Sequence, residues 1–141
     1  MAQHLHIVTL GVRDLEESRR FYTGTLGWKS STASNEAITF IQTGGVVLAL
    51  FPRDELAKDA LVPADGSGFT GFTLAYNVRS EKEVDELIAD LKSKGVRITK
   101  EPQKMFWGGY SSYFADPNGF LWEVAYNPEF PFDETGNIKL E

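Results

Sequence analysis

The apolar positions from Leu5 to Val12 are crowded and rich in Ile, Val, Leu and Thr, which is strand chemistry. Asp14 follows, with Glu17 three residues on, a capping-box spacing that predicts a helix start. Leu15, Tyr22 and Leu26 then fall on one helical stripe with Phe21 beside it, and Gly27 suits the position just past a helix end. Three short strand-like runs come next: Trp28 to Thr32, Ala37 to Gln42 and Val46 to Phe51, the last two joined by the turn Thr43-Gly44-Gly45. Pro52, Pro63, Gly66 and Gly68 mark residues 52–68 as a connection, with one helical turn around Asp54 to Ala60. Phe69 to Val78 reads as a long strand. Ser80 and Glu83 repeat the capping box, and Val84, Leu87, Ile88 and Leu91 recur at i, i+3, i+4 and i+7 up to Gly95. Val96 to Thr99 reads as a strand, Glu101 to Gly109 as a loop, and Tyr110 to Ala115 as a strand. The turn Asp116-Pro117-Asn118-Gly119 leads into a last strand, Phe120 to Ala125, and then a tail.

Written as elements this is βαβββ, a linker, then βαβββ. Val12-Arg13-Asp14 answers Val78-Arg79-Ser80, each a strand end running into a capped helix. Gly27 answers Gly95 as the helix stop, and Gly45 answers Gly119 ahead of the closing strand. Order, cap, stop and hairpin recur together, which points to a duplicated unit. The expected fold class is α+β, two tandem βαβββ modules.

Composition narrows the function. The chain has 141 residues, 42% hydrophobic and 24% charged, the profile of one globular domain. With 14 Lys+Arg against 20 Asp+Glu the net charge is −6, so no basic surface is expected for nucleic acid or an anionic membrane. That balance is compatible with a cationic ligand. No cysteine is present, which removes disulfides, thiolate nucleophiles and cysteine-ligated metals. There are two histidines, His4 and His6. No basic-then-apolar leader is visible at the N-terminus, and no apolar run nears the roughly 20 residues that span a bilayer, so the expected location is the cytoplasm.

The run Leu10-Gly11-Val12-Arg13-Asp14-Leu15, then Phe21-Tyr22 and Leu26-Gly27, then Asp116-Pro117-Asn118-Gly119 with Glu123 seven beyond Asp116, resembles the vicinal oxygen chelate superfamily. That group includes glyoxalases, fosfomycin-resistance thiol transferases, extradiol dioxygenases, methylmalonyl-CoA epimerases and bleomycin-resistance proteins. The resemblance spans about residues 5 to 126, and Phe106-Trp107-Gly108-Gly109-Tyr110-Ser111 is similar to a glyoxalase-like branch. It implies one glyoxalase-like domain over 1–141: module 1 (4–52), linker 53–68, module 2 (69–126) and tail 127–141. Each module would curl its sheet into a half-barrel with the helix on the convex face and a cup on the concave one.

Metal-dependent members of the group take ligands from the first and fourth strands of each module, which falls here on Ile7, Ala49, Thr73 and Glu123. One of the four is a ligand of a divalent ion, where catalytic sites usually present three. His6 is one residue off the marked position and His4 three, so strand alternation sends both to the opposite face unless a bulge re-aims His6. No metal and no other cofactor is therefore expected. What remains on the concave side is Thr9 with Ile7 and Gly11, Thr73 with Ala75 and Asn77, then Ser111, Tyr113 and Glu123. Val8, Leu10, Val12, Phe72, Leu74, Tyr76, Phe114 and Trp122 would face the helices. Trp107, in a Gly-flanked loop, would cover the mouth.

The first functional reading is a metal-independent small-molecule-binding protein using Thr9, Thr73, Trp107, Ser111, Tyr113 and Glu123. The alternative is a lyase- or isomerase-like enzyme in which Glu123 is the general base and Thr73, Ser111 or Tyr113 steadies the oxyanion. A third is a metal-dependent glyoxalase or lyase using His6, Glu123 and ligands from a partner chain. A homodimer is expected, because paired-module members commonly dimerise and Phe130, Pro131 and Phe132 offer apolar surface.

Overall fold

The computed structural model describes residues 3, 6–61, 63–70 and 72–140. His4 lies outside them. The chain divides into two compact units, Met1–Gly68 and Phe69–Glu141.

The first unit runs β1 (Ile7–Val12), α1 (Leu15–Arg20), a π-turn over Phe21–Thr25, β2 (Thr39–Thr43), β3 (Val46–Pro52) and α2 (Arg53–Asp59). Its sheet has the order β1-β3-β2, with β1 parallel to β3 and β2 antiparallel to it. The second unit runs β4 (Leu74–Asn77), α3 (Glu81–Ser93), β5 (Arg97–Lys104), β6 (Tyr110–Ala115) and β7 (Leu121–Tyr126), in the order β4-β7-β6-β5. Both sheets are open, and the fold is α+β with two tandem modules. In each, the first strand runs into a capped helix and lies parallel to the last strand, β1 with β3 and β4 with β7. The registers correspond: Thr9 stands opposite Ala49, and Ala75 stands opposite Glu123.

Both predicted caps form. The Asp14 carboxylate accepts from the Glu17 amide at 3.0 Å. Ser80 Oγ accepts from the Glu83 amide at 3.2 Å, while the Glu83 carboxylate accepts from the Arg79 amide at 2.7 Å. Two amide donors that the helix cannot satisfy are thereby paired. The stripe of α3 buries Val84, Ile88 and Leu91. It packs on β5, β6 and β7, where Phe114 and Trp122 stack at 6.1 Å and Val124 is fully buried. Burying one such aliphatic side chain stabilises the fold by about 1.5–3 kcal/mol.

Three strand expectations need correction. Trp28 to Thr32 forms no strand, so the first sheet has three strands. The Ser31 amide reaches the Phe40 carbonyl at 2.7 Å, but beyond it side chains replace the ladder: Ser34 Oγ accepts from the Phe40 amide, and Asn35 Oδ1 from the Ala37 and Ile38 amides. Such short polar side chains compete with sheet pairing. Of the long strand expected over Phe69 to Val78, the described residues form β4 alone, whose partner β7 begins at Leu121; Gly71 lies outside the described residues. Phe69 and Phe72 are exposed. Thr73, expected inside that strand, sits just before it. Lastly, the strand expected to stop at Thr99 continues through the supposed loop to Lys104.

The tail returns on the second unit. Phe132 bridges to Ile138, and the Arg79 guanidinium lies 4.3 Å from its ring centre. Asp133 closes this turn by accepting from the Asn137 amide and from the hydroxyl and amide of Thr135, which holds its carboxyl below the ordinary value. Phe130 stays exposed. Among the described residues no helix is long and apolar enough to cross a membrane.

Candidate functional site

Strand alternation divides the second sheet into two faces. The Tyr110 hydroxyl donates to Asp85 of α3 at 2.7 Å, so Tyr110, Ser112 and Phe114 mark the helix side. Ser111 and Tyr113 therefore take the opposite side. In register with them on β7 are Ala125 and Glu123, and on β4 Asn77 and Ala75.

On that face the Tyr113 hydroxyl donates to Glu123 Oε2 at 2.6 Å. Thr73 in turn donates to the Tyr113 oxygen. The result is a directed chain, Thr73 to Tyr113 to Glu123. Donation to the carboxylate, then burial, then the charge of Glu123 push the Tyr113 hydroxyl up to about 12, with the Thr73 bond opposing. Among the described residues no donor to Glu123 Oε1 is seen, and Glu123 is half-buried.

A fourth side chain joins them. Lys100 pairs with Tyr113 across β5 and β6, and its ammonium lies 5.7 Å from the Tyr113 ring centre. Ile98 pairs with Phe114, so Thr99 is one residue too many for a regular ladder. This bulge moves Lys100 from the helix face to the Tyr113 face. The Lys100 carbonyl accepts from Ser112 Oγ at 2.6 Å, which pins the irregular backbone. A second bulge lies between Lys100 and Gln103 and contains Pro102. Sequence reasoning missed Lys100 because Pro102 ended the strand pattern. The usable signal was that a proline within a strand-like run marks a bulge.

The remaining expected site residues are placed as follows. Ser111 is buried two residues along β6 from Tyr113. Trp107 sits in the β5–β6 hairpin, where the Gly108 amide donates to the Met105 carbonyl at 3.0 Å. Its indole lies against Gly109, where any β-carbon would overlap the ring. Thr9 is in the first unit, on the face of β1 that also holds Gly11. A β-carbon on Gly11 would come within 3.2 Å of Arg53 Cα and 3.3 Å of a Leu56 methyl, so α2 lies over that end of the face.

The metal expected of the superfamily does not fit these donors. Ile7 and Ala49 are hydrocarbon, Thr73 is a neutral hydroxyl engaged with Tyr113, and Glu123 is engaged with the same phenol. Among the described residues no three His, Asp or Glu side chains gather as ligands. His6 is exposed, and its carbonyl accepts from the Val47 amide at 2.9 Å.

The raised value of Tyr113 yields a prediction. A tyrosine whose folded-state value exceeds its unfolded one stabilises the fold below pH 10, and that contribution is lost as pH rises towards about 12. Of five tyrosines, Tyr113 should ionise late in a spectrophotometric titration, and Glu123→Gln should bring it down towards 10. An unmoved Tyr113 titration in that variant would show that the carboxylate does not hold its proton.

A family model described as "Glyoxalase/Bleomycin resistance protein/Dioxygenase superfamily" matches residues 4–124. The chain is similar to a glyoxalase-related enzyme from Fulvimarina pelagi, with 36% identity, 98% of each chain covered and a TM-score of 0.86. A glyoxalase/bleomycin resistance protein/dioxygenase from Nocardioides gives 27% identity, 89% coverage of this chain, 84% of the other, and a TM-score of 0.75. Lactoylglutathione lyase from Agrobacterium tumefaciens shares the fold, with 22% identity, 89% and 95% coverage, and a TM-score of 0.70.

Proposed function

The chain belongs to the glyoxalase/bleomycin resistance protein/dioxygenase superfamily, and from that premise we propose that it binds a small organic molecule without a metal, on the second-unit face bearing Thr73, Tyr113 and Glu123. The observation that carries this reading is the directed chain ending at Glu123, with no donor to Oε1 among the described residues. Ser111 borders the ligand on the same face, and Trp107 stands in the β5–β6 hairpin of the same unit; Thr9 lies in the first unit and is not assigned to this face. The protein acts in the cytoplasm as a homodimer. The superfamily scaffold alone names no reaction, so the site has to.

The same chain favours a second reading, in which the bound molecule is a C–H acid and Glu123 is the general base. The likeness to an enzyme at 36% identity favours it too. Glu123 Oε1 would remove the proton. Tyr113 keeps its own proton at neutral pH because its value lies near 12, so it holds the carboxylate in place rather than competing for the substrate proton. As Glu123 becomes protonated it is a weaker acceptor, and Tyr113 is freed to donate to the oxyanion.

The test is an amide-resolved NMR titration with pyruvate, whose methyl group is acidic beside a carbonyl. The expected shifts centre on Ser111, Tyr113, Glu123 and Ala125. Shifts confined to residues 6–61, or none up to millimolar pyruvate, overturn the reading. A divalent ion co-purifying near one per chain would remove its metal-free part. Light scattering should give about twice 15.7 kDa, and a monomer at micromolar concentration would remove the homodimer.

A further inference from the structure

Eight lysines lie on this chain, and Lys100 is the one that is half-buried. Five of the others, Lys58, Lys82, Lys92, Lys94 and Lys104, have a carboxylate within 4.0 Å. The Lys100 ammonium has none among the described residues. It meets the Met105 thioether at 3.2 Å and lies over the Tyr113 ring, 5.7 Å from its centre. Desolvating an ammonium without an anion is unfavourable, and the cost persists unless something compensates. Nothing in the strand ladder calls for a lysine here. A regular β5 would carry this residue on the helix side, and the Thr99 bulge, held by Ser112, turns it to the side of Tyr113 and Glu123.

We propose that Lys100 is the specificity residue of this site and that the ligand carries an anionic group, a carboxylate or its equivalent, which the ammonium binds. This rests on the reading that the Tyr113–Glu123 face is the ligand site. The two charges give the ligand a direction. Its anion goes to Lys100, and its hydrogen-bond donor or acidic C–H goes to Glu123, with the Tyr113 phenol between them. The net charge of −6 is compatible with a cationic ligand, but the charge that lies 5.7 Å from the ring of the tyrosine holding Glu123 is positive. A small organic acid with a polar or acidic group next to its carboxylate matches both ends. A cationic drug does not.

The experiment compares pyruvate, neutral pyruvamide and the tetramethylammonium cation by amide-resolved NMR, on the unaltered chain, on Lys100→Met and on Lys100→Arg. Methionine keeps the length of the chain and its contact with Met105, and a melting curve checks that the variant folds. Pyruvate should bind more tightly than pyruvamide, and Lys100→Met should weaken pyruvate by about tenfold or more while leaving pyruvamide unchanged. Lys100→Arg should retain most of the affinity, and higher salt should weaken pyruvate alone. Equal binding of pyruvate and pyruvamide at Tyr113 and Glu123, unmoved by Lys100→Met, overturns the role of Lys100 and leaves the ligand site standing. Tetramethylammonium binding in preference to pyruvate reverses the assigned ligand charge. If none of the three probes shifts Tyr113 or Glu123, the ligand site itself falls, and this proposal with it.

Discussion

Glu123→Gln should slow protein-catalysed deuterium exchange into the methyl group of pyruvate by about 10²–10⁴-fold, the usual worth of a positioned general base. The amide preserves the shape of the carboxylate and can still accept from the Tyr113 hydroxyl, now 2.6 Å from Oε2, so melting should be almost unchanged. What is lost is basicity at Oε1. Tyr113→Phe should do less to the exchange rate, because it removes the donor that fixes Glu123 and leaves the base. Exchange by Glu123→Gln at the unaltered rate would exclude this carboxylate as the base. Binding of pyruvate with no exchange above buffer would leave the protein a binder rather than a catalyst.

Ile88→Ala should cost the second unit about 2–5 kcal/mol, from lost burial and from the cavity left behind. Ile88 is 2% exposed in the centre of the α3 stripe, between Val84 and Leu91. The helix is held by this face, and its surface ion pairs contribute little. Lys82→Ala, which removes an exposed partner of Glu86, should change stability by less than about 0.5 kcal/mol. Hydrogen exchange read at β6 and β7 amides in both variants makes the comparison within one unit. Equal loss of protection in the two variants would contradict the assignment of stability to the buried stripe.

These cases also separate what the sequence revealed from what it concealed. The helices were legible because caps and stripes are local: Asp14 with Glu17, and Ser80 with Glu83 ahead of Val84, Ile88 and Leu91, act within a few residues of one another. The duplication was legible for the same reason. Strand extents were harder, because a strand lasts only as long as its neighbour does. Phe69 to Thr73 has strand composition, yet the described pairing with β7 begins only at Leu74, whereas Lys100 to Lys104 contains a proline and is paired. The Tyr113 and Glu123 positions come from the resemblance to the superfamily, and β6 and β7 pair regularly across the Asp116 turn, so the two fall on one face. Lys100 was not legible, because two register shifts in β5 defeat any count by twos.

Those shifts bear on how this protein can vary. Along β6 or β7 a substitution changes one side chain and leaves its neighbours facing as before. In β5, register is a variable of a different kind. Were the strand to pair regularly through Thr99, Thr99 would stand opposite Tyr113 and Lys100 opposite Ser112, exchanging an ammonium on the Tyr113 face for one against the helix. A chain of this fold could thus gain or lose a positive charge on the Tyr113 face by a one-residue shift of pairing, with no residue there being replaced. Relatives alike in composition through this strand would then differ in whether this face carries the ammonium.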